Sequence, residues 1–478
     1  MPNRLSIAAA KLLALLVAFV FVAAACGGDD DDSSTEAPEE EVTADEPAEE
    51  PAEAPAPEEP AEEPAEEPAT EPAEETAART ASFRGVSEDT ITVGVSMLDF
   101  DALIELGLSS EGWGDQVLVW QTFIDDLNAR GGINGRMVEP VYSFYSPLGT
   151  TEAEATCLEL TVDVESFAVL GGLLGPAETA NRCITAVNNT VLVGGAISED
   201  QLAESTAPWI QGAALRTRRL EAFLDLLAAD GRLEGATVAV VGSVEQADVA
   251  ETAPAALEAR GVTPVSVLEN PIPQGDIQAE NDNWAILAER IAADGADSVL
   301  VIGSGQAALR GIAAAGLDVE VWVLEVNDLN NLGENTPKEV ADGAITITAL
   351  NEQDRWDDPT MAGCRETFTA ANPDIEFLDP SEVVAGDERW FNSIMNFCRD
   401  LALFEVVAVA AGPELTHDSF NAAIESAGDI SLPGTPFASL GPGKFDAGDS
   451  FRLSEFDAEA SEKGELVPLT DILDGTAG

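Results

Sequence analysis

The sequence predicts an α/β fold in two lobes, each a doubly wound and mostly parallel sheet, the lobes joined by crossing hinge strands. Three observations predict it. From about residue 86 to residue 467, short β-branched runs alternate with amphipathic helical stretches. The runs are almost continuously apolar, as suits parallel strands covered on both faces. The span is about 380 residues, more than one ordinary core accommodates, so two lobes are expected.

The strands are expected at 91–97 (ITVGVSM), 167–173 (FAVLGGL), 191–194 (VLVG), 237–242 (TVAVVG), 298–303 (SVLVIG), 319–324 (VEVWVL) and 344–348 (AITIT). Helices fall between them at 115–130, 152–162, 217–229, 247–260 and 284–293, each with apolar residues at helical spacing. Strand–helix alternation within one sheet requires right-handed crossovers. A long apolar helix is expected over 387–411, carrying Trp390, Phe391, Phe397 and Phe404. The run FDAGDSFRL within 445–456 reads as a hairpin, with Gly and Asp at its turn.

The first 28 residues are of a different kind. Arg4 and Lys11 give a positive start, and Leu12 to Ala25 is an apolar stretch too short to span a bilayer. Three alanines then precede Cys26, which resembles a bacterial lipobox, although Ala23 stands where leucine is commoner. Residues 1–25 are expected to be a lipoprotein signal peptide, with Cys26 lipidated after cleavage; an ordinary signal peptide cut after Ala25 is the alternative. The chain is then placed outside the cytoplasm, lipid-anchored to the cell membrane. Residues 26–85 are expected to be the lipidated cysteine and a disordered linker. Its Glu-Glu-Pro-Ala units have almost nothing to bury and cannot offset the entropy of ordering.

The net charge is −67. Residues 29–75 hold 22 acids and no bases. Without them, and without Arg4 and Lys11, 67 acids still face 20 bases. Such a surface repels phosphate backbones, so nucleic acid is excluded as a partner. Four cysteines follow Cys26: Cys157, Cys183, Cys364 and Cys398. An even number outside the cytoplasm predicts two disulfides, and sequence alone allows three pairings. Local pairing, Cys157 with Cys183 and Cys364 with Cys398, is expected from their places on helical segments that neighbour each other in the chain. No Cys/His spacing supports a metal site, and none is expected.

Several segments in order resemble a known family. The strand ITVGV leads through a loop to GWGDQVLVWQTFIDDLNARGGINGR, residues 112–136. It is followed by VLGGLLGP, VLVGGAIS, VAVVGS, VLVIGSG, ADGAITIT, GKFDAGDSFRL and a final VPL. Together these resemble the type I periplasmic binding proteins, in their branch for branched-chain amino acids (Leu, Ile, Val), the solute receptors of ABC importers. The likeness covers roughly residues 88–470. It implies a first lobe over 86–210, a second over 211–342, and a return to the first over 343–470. Crossings are expected near 209–212, near 342–343 and once more near the C-terminus. It also implies a monomer that captures a small polar, amino-acid-like solute in an interlobe cleft and delivers it to an ABC permease, without cofactor and without covalent chemistry.

The resemblance carries site residues with it. Trp113 stands where that branch sets a tryptophan against the ligand. Leu174 and Gly175 replace two hydroxyl residues that hold a carboxylate, which leaves the Gly175 amide and the start at Ala177–Thr179 as anion receivers. Ala196 and Ser198 are expected to supply a backbone group and a hydroxyl, unless Ser198 only caps a helix. Gln246 and Gly305 replace tyrosines of the second lobe, the glycine leaving extra room. Glu325 is expected to hold the ligand ammonium. Asp99 and Asp101 would add cation preference.

Two other readings start from the residues. The segment VLVIGSGQAALRGIAAAGLDVEVWVLE has the Gly303, Gly305, Ala308 spacing and terminal Glu325 of a dinucleotide fingerprint, hence a dinucleotide-dependent enzyme. His417 is the only histidine and no G-x-S-x-G elbow is present, which leaves little for a hydrolase. Within the family fold, a ligand sensor or a receptor for amides, urea or aromatic acids stays open, because the carboxylate-binding hydroxyls are lost.

Overall fold

The computed structural model describes residues 79–105, 111–147, 149–196, 198–272, 277–330, 332–333, 335–383 and 387–475. The expected signal peptide and Cys26 lie outside the described residues. Among these residues no helix is long and apolar enough to cross a membrane.

The first sheet contains β1 (Thr90–Leu98), β2 (Met137–Tyr145), β3 (Ala168–Gly171), β4 (Val191–Gly194) and β5 (Trp209–Ile210), all parallel, in the order β2-β1-β3-β4-β5. The second repeats that order. Its parallel part is β7-β6-β8-β9-β10, formed by β6 (Val238–Ser243), β7 (Ser266–Asn270), β8 (Ser298–Ile302), β9 (Glu320–Val323) and β10 (Ile345–Thr348). After a small ribbon, β11 (Gly428–Asp429) with β12 (Ser439–Leu440), the chain returns as β13 (Ser450–Asp457) and β14 (Glu465–Pro468). These two extend the second sheet beyond β10 in antiparallel pairing.

Both sheets are covered on both faces, which is why their strands read as apolar runs. In β1, Ile91, Val93, Val95 and Met97 point into the core that holds Trp120, Phe397 and Phe404. On the opposite face Val169 and Leu192 pack with Tyr145 and Trp209. The second sheet alternates likewise. Leu300 and Ile302 meet Phe223 and Trp322, while Val299 and Val301 meet Trp284 and Ile312. Trp120 stacks on Phe397 with ring centroids 4.8 Å apart. Such a pair adds about 0.5–1.5 kcal/mol beyond its buried area.

The disulfides are Cys157–Cys183 and Cys364–Cys398, with Cα atoms 6.2 and 6.1 Å apart. The first ties helix Thr150–Leu158 to the turn at Cys183–Val187. The second ties helix Pro359–Ala371 to helix Trp390–Ala410, the long helix expected over 387–411.

Three expectations are corrected. Residues 79–85 are not linker: Phe83 pairs with Val86, Ser82 Oγ donates to Leu415 O at 2.7 Å, and Arg84 donates to Asn188 O at 2.9 Å. The aromatic and the arginine give this stretch something to bury and bond, unlike the Glu-Pro repeats before it. Residues 445–456 are not a hairpin. Gln211 and Asp446 run parallel, with Gln211 N–H donating to Phe445 O and Ala447 N–H to Gln211 O, before the chain enters β13. The Gly448 within this stretch serves a close approach: a Cβ there would lie 2.9 Å from Gly212 O. Finally, β10 belongs to the second sheet, as do β13 and β14. The second passage between lobes therefore follows Thr348 rather than 342–343, and the tail from residue 450 lies in the second lobe, not the first.

Candidate functional site

In sheets of this order, the strands on either side of a topological switch point send their connections to opposite faces, which leaves a crevice at their carboxyl ends. The switch points here lie between β1 and β3 and between β6 and β8. The carboxyl edges of the two sheets meet along a polar seam. Arg216, the first residue of helix Arg216–Ala229 in the second lobe, reaches Glu178 of the first at 3.2 Å. Thr217 Oγ1 donates to Glu199 Oε1 of the first lobe at 2.6 Å.

On the first-lobe side, β3 and β4 end in paired glycines because their tips nearly touch. A Cβ on Gly172, at φ +71°, would lie 2.5 Å from Gly195 N. Gly175 is exposed and opens a six-residue 3-10 turn, Gly175–Ala180, whose first turn carries Glu178. The Leu174 N–H donates to Tyr145 Oη at 2.9 Å. The carboxylate at this turn is therefore the protein's own, and its cation is Arg216. Thr179 is exposed. Ser198 caps helix Glu199–Glu204, its Oγ accepting from Gln201 N–H at 3.2 Å, and Ala196 is half-buried nearby. Trp113 is half-buried in a loop held from behind: its carbonyl accepts from Ser393 Oγ at 2.7 Å and Gly114 N–H donates to Glu388. Its indole lies against Phe100 with centroids 4.9 Å apart. Asp99 Oδ1 accepts from Ala102 N–H at 3.0 Å, capping helix Phe100–Glu105, in which Asp101 is exposed.

On the second-lobe side, the ends of β6 and β8 bring together Ser243, Gln246, Gly303 and Ser304. Gly303 adopts φ +77°, and a Cβ there would lie 2.3 Å from Ser243 Oγ and 3.5 Å from Gln246 Cδ. Ser243 Oγ, Gln246 Oε1 and Ser304 Oγ are buried without a hydrogen-bond partner among the described residues. Buried polar atoms normally find partners, so three orphans at one switch point mark a place where something else supplies them. Gly305 gives no extra room, against expectation. A Cβ there would lie 2.7 Å from Asp328 Oδ2 and 2.8 Å from Val323 Cγ1, and the Gly305 N–H donates to that same carboxylate at 2.8 Å. Glu325 accepts from Arg219 at 2.9 and 3.1 Å and lies 3.8 Å from Arg216. Its charge is answered from within the chain.

The seam thus brings together the neighbourhoods of Gly175, Ser198 and Glu325, linked through Glu178, Glu199, Arg216 and Thr217. Gln246 and Gly305 share the second-lobe switch point. Trp113 is placed by Phe100 and Ser393 of the first lobe rather than by the seam residues. The sequence from residue 110 to residue 451 matches the family model described as periplasmic binding protein. This chain belongs to that family.

Solved structures of periplasmic binding proteins share the fold at low identity. The Brucella ovis leucine-, isoleucine-, valine-, threonine- and alanine-binding protein, in a closed conformation, is 14% identical over 81% of this chain and 96% of its own, with TM-score 0.56. A Desulfitobacterium hafniense ABC transporter substrate-binding protein in complex with Leu is 15% identical over 79% and 100%, with TM-score 0.55. A solute-binding protein of an R. palustris ABC transporter, in complex with 4-hydroxybenzoate, is 16% identical over 81% and 98%, with TM-score 0.56. No curated protein sequence gives a match.

Family membership also explains the dinucleotide-like segment. The strand, glycine turn and helix Gly305–Ala315 are present, but Asp328 occupies the first amide of that helix where a pyrophosphate would sit, and Glu325 is held by arginines. His417 starts a helix capped by Thr416 and Ser419, with its ring against Phe83, away from the seam. Among the described residues no group of three or more His, Cys, Asp or Glu is placed to hold a metal ion.

Proposed function

We propose that this chain is an extracytoplasmic receptor that captures a small polar solute between its lobes and delivers it to an ABC importer, held at the membrane by lipid on Cys26 and doing no covalent chemistry. The observation that carries the reading is the polar seam where Arg216 and Thr217 of one lobe meet Glu178 and Glu199 of the other, in a fold whose second lobe also leaves polar atoms orphaned at Ser243, Gln246 and Ser304. A solute contacting both edges stabilises the closed arrangement by its differential affinity for it, and closure presents a new surface to a membrane partner. The relatives' solutes, Leu in one and 4-hydroxybenzoate in another, support a small polar or amphipathic molecule. An α-amino acid bound as the resemblance implies would need Glu325 free, and here two arginines hold it. Amides, urea and aromatic acids therefore remain within the proposal.

The test is thermal unfolding of the purified protein against amino acids, amides, urea, polyamines and aromatic acids. A solute that binds only the folded state raises the midpoint in proportion to its concentration over Kd. Gln246→Ala and Trp113→Ala should each weaken the hit at least tenfold while leaving the unliganded midpoint within a few degrees. Silence across the panel would end the receptor reading.

A further inference from the structure

The ends of β8 and β9 border a cavity of about 230 Å³ in the second lobe, lined by Ile277, Glu280, Ser304, Arg310, Asp328 and Thr336 among others. Its charges do not balance. Arg310 is the cation in the lining, and it is spent: it donates to Glu280 Oε2 at 2.5 Å, to Thr336 Oγ1 at 2.8 Å and to Asn281 Oδ1 at 3.3 Å. Asp328 forms no ion pair among the described residues. It accepts one hydrogen bond among the described residues, from Gly305 N–H. Burial, with Glu325 and Glu280 nearby, pushes its carboxyl up to about 6. Arg310 thus answers Glu280, and no cation pairs with Asp328 among the described residues.

A second observation is independent of the acids. Ser304 is 3% exposed, lines the cavity, and its Oγ has no partner among the described residues. It is held in the left-handed region at φ 53°, between Gly303, which touches the Ser243–Gln246 edge, and Gly305, which bonds Asp328. Ser304 thus belongs both to the cavity lining and to the orphaned atoms at the β6–β8 switch point. A hydroxyl oxygen and a carboxylate lining one cavity match a donor-only group with several N–H bonds to give.

The geometry points to Asp328 and Ser304, with Glu280 behind them, as the acceptors of an ammonium group on the solute, so that the transported molecule is an organic amine read here and not at Glu325. This rests on the receptor reading above. A primary ammonium would place its charge beside Asp328 and one N–H on Ser304 Oγ. A bare metal ion is disfavoured by the two-acid set, which falls short of the usual ligand count.

The experiment is calorimetric titration of the purified protein with putrescine, ethanolamine and alanine, beside acetamide and benzoate as probes without an ammonium. Wild-type protein is expected to bind at least one of the amines. Asp328→Asn, which keeps the acceptor for Gly305 N–H, should weaken it at least thirtyfold, and Ser304→Ala three- to tenfold, both with the unliganded fold intact by circular dichroism. No binding by any amine, or an amine affinity unchanged in Asp328→Asn, overturns the inference. If acetamide or benzoate binds instead and is lost in Gln246→Ala, the receptor reading survives and the ammonium site falls. If an amine binds through Asp328 but leaves the radius of gyration unchanged and is indifferent to Trp113→Ala, the ammonium site stands and interlobe capture falls.

Discussion

Glu178 and Arg216 belong to different lobes, yet their charged groups are 3.2 Å apart and only about a quarter exposed, 24% and 23% of their side chains. The pair joins the tip beyond β3 to the first turn of helix Arg216–Ala229, and Arg216 continues to Glu325. It is thus a strut across the seam that closes in this arrangement and breaks when the lobes part. Removing the Glu178 charge leaves Arg216 partly buried, with the more distant Glu325 at 3.8 Å as its ion-pair partner. Glu178→Gln is expected to weaken solute binding about fivefold, on the order of 1 kcal/mol. It should also enlarge the ligand-free radius of gyration in small-angle scattering. An affinity that is unchanged and equally salt-sensitive in the variant would show the strut to be incidental.

His417 supplies a pH dependence whose sign can be worked out. Burial lowers its pKa to about 4, with Arg84 adding to the effect and Asp418 opposing it. The folded state therefore keeps the ring neutral, while the unfolded chain takes a proton below about 6.5. Stability attributable to this group is intact above pH 6.5 and falls as pH drops toward 4, by roughly 1–2 kcal/mol once partial solvent access is allowed for. Its Nε2 also has no partner among the described residues, and Phe83 lies 4.3 Å away between ring centroids. His417→Phe should flatten that part of the profile. Midpoints measured at pH 7 and pH 5 should then lie closer together than in the wild type; an equal gap would place the acid sensitivity elsewhere.

Much of the fold was legible because buried parallel strands write themselves as apolar runs. The seven expected strands are all present to within two residues. Of the strands that were missed, the longer parallel ones, β2 and β7, lie at the edges of the parallel arrays, where one face is wetter. Glu139 and Pro140 interrupt the first, and Val267 of the second is 56% exposed. The site was less legible. Position along a strand end could be matched to a family, but Arg219, which takes up Glu325, comes from 106 residues away. One signal was available. Arg216, Arg218 and Arg219 crowd the first turn of a helix, where cations oppose the macrodipole, in a chain with 22 bases in all. Such a cluster needs acids from elsewhere, and each arginine has one: Glu178, Asp446 with Asp449, and Glu325.

The middle arginine of that cluster holds the hinge. Arg218 contacts Asp446 at 2.6 Å and Asp449 at 2.8 Å, the two aspartates being 1% and 0% exposed at their side chains. Lys444 adds a second cation to Asp449 at 3.1 Å, and Ser439 Oγ and Leu215 N–H donate to the same two carboxylates. Two cations against two anions, each hydrogen-bonded, make a satisfied buried network at the last crossing of the chain. Breaking such a network from one side costs about 3–5 kcal/mol because a buried charge is stranded. Arg218→Met is therefore expected to lower the urea midpoint sharply. Arg218→Met with Asp446→Asn and Asp449→Asn should recover part of the loss. Additive losses in the triple variant would show that the charges do not act together.

The disulfides offer a separate test of where stability resides. Closing loops with sequence separations of 26 and 34 removes unfolded-state entropy of roughly 3–4 kcal/mol each. Cys157 is fully buried in the first-lobe core, whereas Cys364 joins two helices on that lobe's other face. Replacing either pair by alanine should shift the denaturant midpoint of the first lobe and leave that of the second, followed through Trp284 and Trp322, nearly unchanged. A common shift of both would mean that the lobes unfold as one unit.

Asp328 ties stability to the binding chemistry. Its pKa, raised to about 6 by burial and by the neighbouring glutamates, lies above the ordinary carboxylate value of 3.8. A group raised in this way favours the folded state in its protonated form. That contribution is fully present below about pH 4 and is lost as pH rises through 6. At pH 8 the wild type therefore carries a penalty of roughly 2–3 kcal/mol for an ionised carboxylate without a cation. Asp328→Asn removes the ionisation and keeps an oxygen for Gly305 N–H. Its melting point should match the wild type near pH 4 and exceed it progressively up to pH 8. An organic amine bound beside Asp328 should do the same for the wild type by supplying the missing charge. A variant less stable than wild type at pH 8 would show that the carboxylate has a cation already, and the ammonium site would lose its motive.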